Sequence, residues 1–110
     1  GLIVFEEAPG WQHIGDEAWQ EVYLKNVEEM VLRDRNHPCI FTWGVRVNES
    51  PDNHELYEKS NALAKSLDPS RHTHGVRMAE TYAESEFQEV IFCANYSYPE
   101  KPRFTPDVIT

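Results

Sequence analysis

Polar and aromatic side chains follow three of the apolar runs in this sequence, each within a few residues of the end of the run. They are Glu7, Trp11, Asn48, Glu49 and Tyr96. A glutamate carboxyl group can give and take a proton. An asparagine amide hydrogen-bonds, and an aromatic ring packs on the apolar face of a ligand. If the apolar runs are parallel strands, these side chains meet at one edge of a sheet, and we expect a site there.

Two histidines suggest a different chemistry. His72 and His74 are two residues apart in a segment with strand character, so both side chains point to the same face. A pair of this kind can bind zinc. No third ligand is evident nearby, so we predict no metal site. A metal-dependent α/β hydrolase built on this pair stays an alternative hypothesis.

Hydrophobic periodicity predicts the elements that must position these residues. In chain order they are a strand at Leu2–Phe5, a helix capped by Asp16, a strand at Ile40–Val47, a helix capped by Asp52 or Asn53, a strand at Thr73–Met78, a short helix at 84–88 and a strand at Val90–Ala94. The remaining tail is polar and proline-rich, and we predict no strand in it. Alternation of strands and helices is typical of an α/β fold with a parallel sheet.

Composition narrows the class of partner. The chain has 110 residues and a formal net charge of −9, which disfavours binding to nucleic acid or to an anionic membrane. No apolar stretch approaches the roughly 18 residues of a membrane span. Cys39 and Cys93 each lie in an apolar run, and we expect buried free thiols. Nothing in the sequence indicates a cellular compartment.

The most specific pattern lies at residues 34–50, which read DRNHPCIFTWGVRVNES. This segment resembles the acid/base signature of glycoside hydrolase family 2, which includes β-galactosidases, β-glucuronidases and β-mannosidases. The flanking segments 7–11 and 61–71 are also similar to β-galactosidase-like members. The resemblance implies that residues 1–110 are part of a (β/α)8 catalytic barrel. A complete barrel needs about 200 residues or more, so four strands are half of one.

The resemblance also implies roles for single residues. Glu49 would be the general acid/base of a retaining hydrolase of β-linked sugars, most similar to β-galactosidase, and Asn48 would contact the sugar 2-hydroxyl. Tyr96 resembles a tyrosine that hydrogen-bonds the nucleophile. Glu7 and Trp11 lie at the same barrel mouth and would bind substrate. No cofactor is required by these residues. Some β-galactosidases use Mg²⁺ and Na⁺, but no residue here indicates such a site.

The second carboxylate of the mechanism is not evident in the chain. In the family, the nucleophilic glutamate lies on the seventh barrel strand, and the four expected strands correspond to barrel strands 3 to 6. We therefore expect the nucleophile beyond Thr110 and the first two strands before Gly1. The isolated chain is then predicted to be an inactive structural fragment. It is also predicted to self-associate through two exposed strand edges, Leu2–Phe5 and Val90–Ala94.

Overall fold

The computed structural model describes residues 1–77, 90–93 and 108–109. Within them the strands form one parallel sheet in chain order, with two helices in the first two connections. The elements are β1 at Val4–Glu7, α1 at Glu17–Asp34, β2 at Ile40–Gly44, α2 at His54–Leu67, β3 at His72–Arg77, β4 at Val90–Cys93 and β5 at Val108–Ile109. The α/β class is therefore confirmed, and the sheet is consistent with part of a barrel.

The fifth strand corrects two expectations. The tail was predicted to hold no strand, but Val108–Ile109 pairs in parallel with β4. β4 is consequently an inner strand, and the expectation that it forms an exposed edge was wrong. A strand of two residues is too short to show any periodicity, which is why the sequence pattern missed it. The expected helix at 84–88 lies outside the described residues.

The strand bounds differ by a few residues from those expected. β1 ends at Glu7 rather than Phe5, and β2 ends at Gly44 rather than Val47. Parallel pairing nevertheless continues past β2, because the Val45 amide donates to the His74 carbonyl at 3.0 Å. The chain after Gly44 is thus still guided by its neighbours in the sheet.

Both helices begin at side-chain caps. The Asp16 carboxylate accepts a hydrogen bond from the Trp19 amide at 2.9 Å, and the Asn53 side chain accepts one from the Leu56 amide at 3.0 Å. Each cap satisfies one of the free amides of a first helical turn. The sequence had left the second cap open between two residues, and the structure selects Asn53.

The hydrophobic core lies between the helices and the strands. It contains one large aromatic residue of β2, Trp43, which is fully buried. The other core residues are Ala8, Tyr23, Val27, Met30, Val31, Ile40, Val45, Val47, Leu56, Tyr57 and Ala64. Val22 of α1 lies outside this core and is 58% exposed. The Ser60 hydroxyl donates to the Val45 carbonyl at 2.6 Å, which ties α2 to the segment that follows β2.

A cluster of hydrogen-bonded polar groups lies near the amino-terminal ends of β2 and β3. Arg71 donates to an oxygen of Asp68 at 2.6 Å, and the Trp43 indole donates to the same oxygen at 2.9 Å. Ser70 donates to the other oxygen. Burial acts to raise the pKa of Asp68, but these hydrogen bonds outweigh it and lower the pKa to about 2. We call these four residues the Asp68–Arg71 cluster.

Arg71 also closes the connection between α1 and β2. Its guanidinium donates to the backbone carbonyls of Arg35, His37 and Ile40 at 2.8–3.0 Å. These carbonyls belong to the C-cap residue of α1, to the turn that follows it and to the first residue of β2. One side chain thereby satisfies three acceptors of a turn that forms no regular ladder.

Two further expectations concern solvent and membrane. Cys39 was expected to be buried but is exposed, because it lies in the turn before β2 rather than in the strand. The side chain of Cys93 lies outside the described part of the molecule. Neither of the helices described here combines the length and hydropathy needed to cross a bilayer.

Candidate active site

The register of the sheet brings the predicted site residues to one edge. Glu7 is the last residue of β1 and is paired with Gly44, the last residue of β2. Beyond these strand ends, Trp11 forms a parallel bridge with Asn48. Glu49 therefore lies at the carboxyl-terminal edge, on the same side as Glu7. Tyr96 lies outside the described residues.

The Glu49 carboxylate receives two hydrogen bonds from the loop after β1. Its Oε2 accepts from the Trp11 indole at 3.1 Å and from the Gln12 side-chain amide at 3.3 Å. Its backbone amide donates to the carbonyl of Val76 in β3 at 3.0 Å. Glu49 is half-buried, and these contacts hold its side chain and its backbone at the edge of the sheet.

The backbone at this point has an uncommon conformation. Glu49 has φ +53° and Gln12 has φ +61°, both in the left-handed region. A non-glycine residue there costs about 1–2 kcal/mol relative to ordinary backbone. Both residues nevertheless hold it where their side chains meet. Strain of this kind is often found at functional sites, where the surrounding contacts impose it.

Buried contacts support the loop that carries Glu49. The Arg46 side chain is buried and donates to the Ser50 carbonyl at 2.7 Å and to the Asp52 carboxylate at 2.8 Å. Its guanidinium lies 4.7 Å from the centre of the Tyr57 ring, within the range of a cation–π interaction. Ser50 and Tyr57 also share a hydrogen bond between their hydroxyl groups at 2.5 Å. The loop between β2 and α2 is thus held in place by contacts within it and by its contacts with Tyr57 of α2.

The loop after β1 approaches this segment closely. Gly10 has φ +141°, and a Cβ atom at this position would lie only 3.2 Å from the Val47 side chain. The Gln12 amide then donates to the Asn48 carbonyl at 2.8 Å. Glycine therefore allows the loop to pack on Val47, and this packing carries Trp11 and Gln12 to Glu49.

A second set of polar side chains, formed by Glu7, His74 and Thr42, lies at the ends of the neighbouring strands. The two ring nitrogens of His74 lie 3.3 Å from a Glu7 oxygen and 3.2 Å from the Thr42 hydroxyl. Gly44 makes room for this contact, since a Cβ there would lie 2.6 Å from Glu7 Cγ and 2.9 Å from His74 Nε2. Glu7 is partly exposed and His74 is buried, so only the carboxylate end of this chain of groups faces solvent.

The alternative metal site finds no support in this arrangement. His74 is buried among Glu7, Thr42 and Phe5, whereas His72, the first residue of β3, is exposed. In the part of the chain that the structure describes, no group of three or more His, Cys, Asp or Glu side chains could hold a metal ion.

Several residues of this site were not singled out in the sequence. Gln12, Thr42, Gly44 and His74 act through contacts between segments 30 or more residues apart. His74 had been considered only as a metal ligand. A glycine at the end of a strand, in register with an acidic residue on its neighbour, is the one signal that could have suggested the contact between Glu7 and His74.

A parallel α/β sheet with a carboxylate at the carboxyl-terminal end of a strand has the layout of a barrel active site. The family model described as "Glycosyl hydrolases family 2, TIM barrel domain" matches residues 4–105. The chain therefore belongs to glycosyl hydrolase family 2, as the resemblance at residues 34–50 implied.

Individual relatives agree with this assignment. The chain is 57% identical over 95 residues to a β-galactosidase of Thermoanaerobacter pseudethanolicus, a match that covers 86% of this chain and 12% of that protein. It is 47% identical over 95 residues to a β-galactosidase of Thermoanaerobacterium thermosulfurigenes, covering 86% of this chain and 13% of the relative. The chain thus spans about an eighth of the length of these relatives.

A solved structure shows the same fold. The crystal structure of a family 2 β-galacturonidase from Eisenbergiella tayi, bound to galacturonate, superposes with a TM-score of 0.68 at 27% identity. The match covers 83% of this chain and 18% of that one. The partial sheet described above is therefore similar to a segment of a family 2 barrel.

Proposed function

We propose that this chain is part of the catalytic barrel of a retaining glycoside hydrolase that acts on β-linked sugars, with β-galactosides as the first candidates. The observation that carries the proposal is the position of Glu49, at the carboxyl-terminal end of β2, with its carboxylate held by Trp11 and Gln12. The names of the two bacterial relatives described above support β-galactosides among the possible sugars.

In this proposal Glu49 is the general acid/base. It gives a proton to the oxygen of the departing group, and it later takes a proton from the water that releases the sugar. A second carboxylate, about 5–5.5 Å away in retaining enzymes, attacks the anomeric carbon. This chemistry uses carboxyl groups only, so the residues present require no cofactor, and no Mg²⁺ or Na⁺ site is proposed.

The neighbouring residues would hold the sugar. Asn48 is bridged to Trp11 and half-buried, and we assign it the sugar 2-hydroxyl, a contact that strengthens in the transition state. Glu7 presents a partly exposed carboxylate at the same edge, suited to sugar hydroxyls. Trp11 is 62% exposed and offers a ring surface for stacking. Tyr96 keeps its proposed place beside the nucleophile.

The fifth strand refines the position of the nucleophile. If β2 is barrel strand four, β5 occupies the place of strand seven, so the described sheet corresponds to strands 3 to 7 rather than 3 to 6. The nucleophile of the family lies on that seventh strand. We therefore place it in the residues of the whole protein that continue β5. The isolated chain would then lack half of its catalytic pair.

Activity assays test this proposal. In the whole protein, Glu49→Gln should lower the hydrolysis of an aryl β-galactoside by about 10²–10⁴-fold, the usual contribution of a general acid/base. Glu58→Gln, at an exposed position of α2, is the matched control and should keep full activity. The isolated chain should show no turnover above its own Glu49→Gln variant. Near-normal activity of the Glu49→Gln whole protein, or real turnover by the isolated chain, would refute the proposal.

We also propose that the isolated chain associates with a second copy of itself through β1. In the described sheet β1 pairs only with β2, and Leu2 and Ile3, which directly precede β1, are 87% and 66% exposed. An apolar strand edge pairs readily with another strand. Sedimentation at rising concentration should show dimers or larger species, and Ile3→Lys should reduce them. Leu32→Lys, at an exposed apolar position on α1, should not. A monomer at all concentrations would exclude the association.

A further inference from the structure

A contact between Glu7 and His74 passes over the strand that separates them. Glu7 of β1 is paired with Gly44 of β2, and Gly44 is paired with His74 of β3, so the three residues form one row across the sheet. Paired residues of neighbouring strands point to the same face. Because Gly44 has no side chain, the carboxylate and the imidazole meet above it, with Glu7 Oε1 3.3 Å from His74 Nε2. The glycine thus allows contact between two strands that are not neighbours.

The Thr42 hydroxyl fixes the direction of the hydrogen bonds in this row. It has one proton, which it donates to the His72 carbonyl at 2.8 Å. Towards His74 Nδ1, at 3.2 Å, the Thr42 oxygen therefore accepts, and Nδ1 carries a proton. The other ring nitrogen faces Glu7, where a hydrogen bond between Nε2 and Oε1 needs one proton shared by the two groups. The imidazole thus links the backbone of β3 to the Glu7 carboxylate through Thr42.

The two ends of this link differ in burial. His74 is fully buried, and its ring lies edge-on to the Phe5 ring with 5.8 Å between the centroids. The Glu7 side chain is 41% exposed at the carboxyl-terminal edge. A buried ring in contact with Thr42 and Phe5 has little freedom to move, whereas an exposed glutamate side chain can adopt many rotamers. The imidazole therefore sets the position of the carboxylate.

We propose that His74, anchored by Thr42, is a positioning residue that holds the Glu7 carboxylate against one hydroxyl group of the sugar, other than the 2-hydroxyl assigned to Asn48. This inference rests on the proposed function, in which Glu7 binds substrate. The sugar hydroxyl donates to the carboxylate. A carboxylate that is already held in place loses less side-chain entropy on accepting this hydrogen bond. His74 thus acts through Glu7 on the recognition of one hydroxyl.

Substrates that lack single hydroxyl groups test this role. In the whole protein, kcat/KM is measured for a nitrophenyl β-galactoside and for analogues that each lack one sugar hydroxyl. Glu7→Ala should lower kcat/KM for the full substrate about 10-fold to 100-fold, as expected on losing a hydrogen bond to a charged group. For one analogue the same variant should change kcat/KM by less than about 2-fold, because the lost partner is already absent. That analogue identifies the hydroxyl that Glu7 binds.

The partners of Glu7 should show the same selectivity at smaller size. His74→Leu should lower kcat/KM for the full substrate about 2-fold to 10-fold, the effect of one ordinary hydrogen bond, and should spare the same analogue. His74→Gln keeps a donor of similar reach and should recover most of the loss. Thr42→Val should act as a weaker His74→Leu, and Thr42→Ser, which keeps the hydroxyl, should lose less. His54→Leu, at an exposed position of α2, is the matched control and should affect no substrate.

A double variant separates positioning from a merely structural role. If His74 acts through Glu7, the variant that combines Glu7→Ala with His74→Leu should be no slower than Glu7→Ala alone. Three results would overturn the inference: losses that multiply in the double variant, equal losses on all substrates, or a His74→Gln variant no better than His74→Leu.

The same measurements distinguish failure of this inference from failure of the proposed function. If Glu7→Ala spares one analogue while the His74 and Thr42 variants do not, only the positioning role is wrong. If Glu7→Ala spares no analogue, the substrate role proposed for Glu7 is wrong, and the positioning role is wrong with it.

Discussion

The two ends of the parallel sheet are built on different principles. At the amino-terminal end, the Asp68–Arg71 cluster pairs buried charges and satisfies the carbonyls of the turn before β2. At the carboxyl-terminal end, Glu49 adopts a left-handed backbone conformation and is only half-buried. Each end therefore has a carboxylate that accepts at least two hydrogen bonds, but Asp68 is buried whereas Glu49 is only half-buried.

This contrast shows how the same chemical group serves stability in one place and function in another. The Asp68 carboxylate is enclosed by donors from its own turn and from Trp43, so its charge stabilises the fold. The Trp11 and Gln12 donors to Glu49 come instead from a separate loop, the one that follows β1. In barrels of this kind, the carboxyl-terminal face carries function and the opposite face carries stability. The following predictions test that division, beginning with the largest effect.

Loss of Arg71 should be the most destabilising of these changes. Arg71→Met keeps much of the side-chain volume but leaves Asp68 without its cationic partner and three carbonyls without their donor. Removing one member of a buried ion pair typically costs about 3–5 kcal/mol. We expect a decrease of that size in the free energy of unfolding, measured by urea denaturation of the chain.

The control for this change is an ion pair on the surface. Lys59→Met removes the partner of Glu55 on an exposed face of α2, and the free energy of unfolding should barely change. If the two variants were equally stable, the amino-terminal end would not be the stabilising end of the sheet, and the contrast drawn above would fail.

Acid should weaken the same cluster. Because the pKa of Asp68 is lowered from its ordinary value of 3.8 to about 2 in the folded chain, the unfolded chain binds the proton more readily. The resulting stabilisation is complete above about pH 5 and is lost as the pH falls through about 2. It amounts to about 2 kcal/mol. Urea midpoints measured across this range should fall more steeply for the parent chain than for Asp68→Asn. Identical slopes would contradict the assignment.

The sequence predicted the elements well wherever local patterns determine them. The Asp16 cap and the alternation of strands and helices follow from residue types and spacing over short distances. The choice between Asp52 and Asn53 as the second cap did not. Both residue types suit a cap, and Asp52 is instead paired with Arg46, a buried charge whose position is known only from the fold.

The site shows the same limit more sharply. Its main carboxylate, Glu49, could be found because it stands within a continuous motif at a strand end. The partners of Glu49 could not be found in the same way. Trp11 lies 38 residues away from Glu49 along the chain. Gln12 contacts Glu49 only because Gly10 allows the loop after β1 to pack on Val47. Contacts of this kind depend on strand register, which periodicity does not determine by itself.

The smallest predicted effect concerns the strain at Glu49. Glu49→Gly and Glu49→Ala both remove the carboxylate, so both should be equally inactive in the whole protein. They differ in backbone preference. Glycine adopts φ +53° freely, whereas alanine bears the steric cost of the left-handed region, about 1–2 kcal/mol. Part of this advantage is offset because glycine loses more backbone entropy on folding, about 0.5–1 kcal/mol.

The glycine variant should therefore have the higher free energy of unfolding, by about 0.5–1 kcal/mol. Urea denaturation of the two variants side by side measures the difference. A more stable alanine variant would mean that residue 49 is not held in the left-handed region, and strain would then not distinguish this end of the sheet from the other.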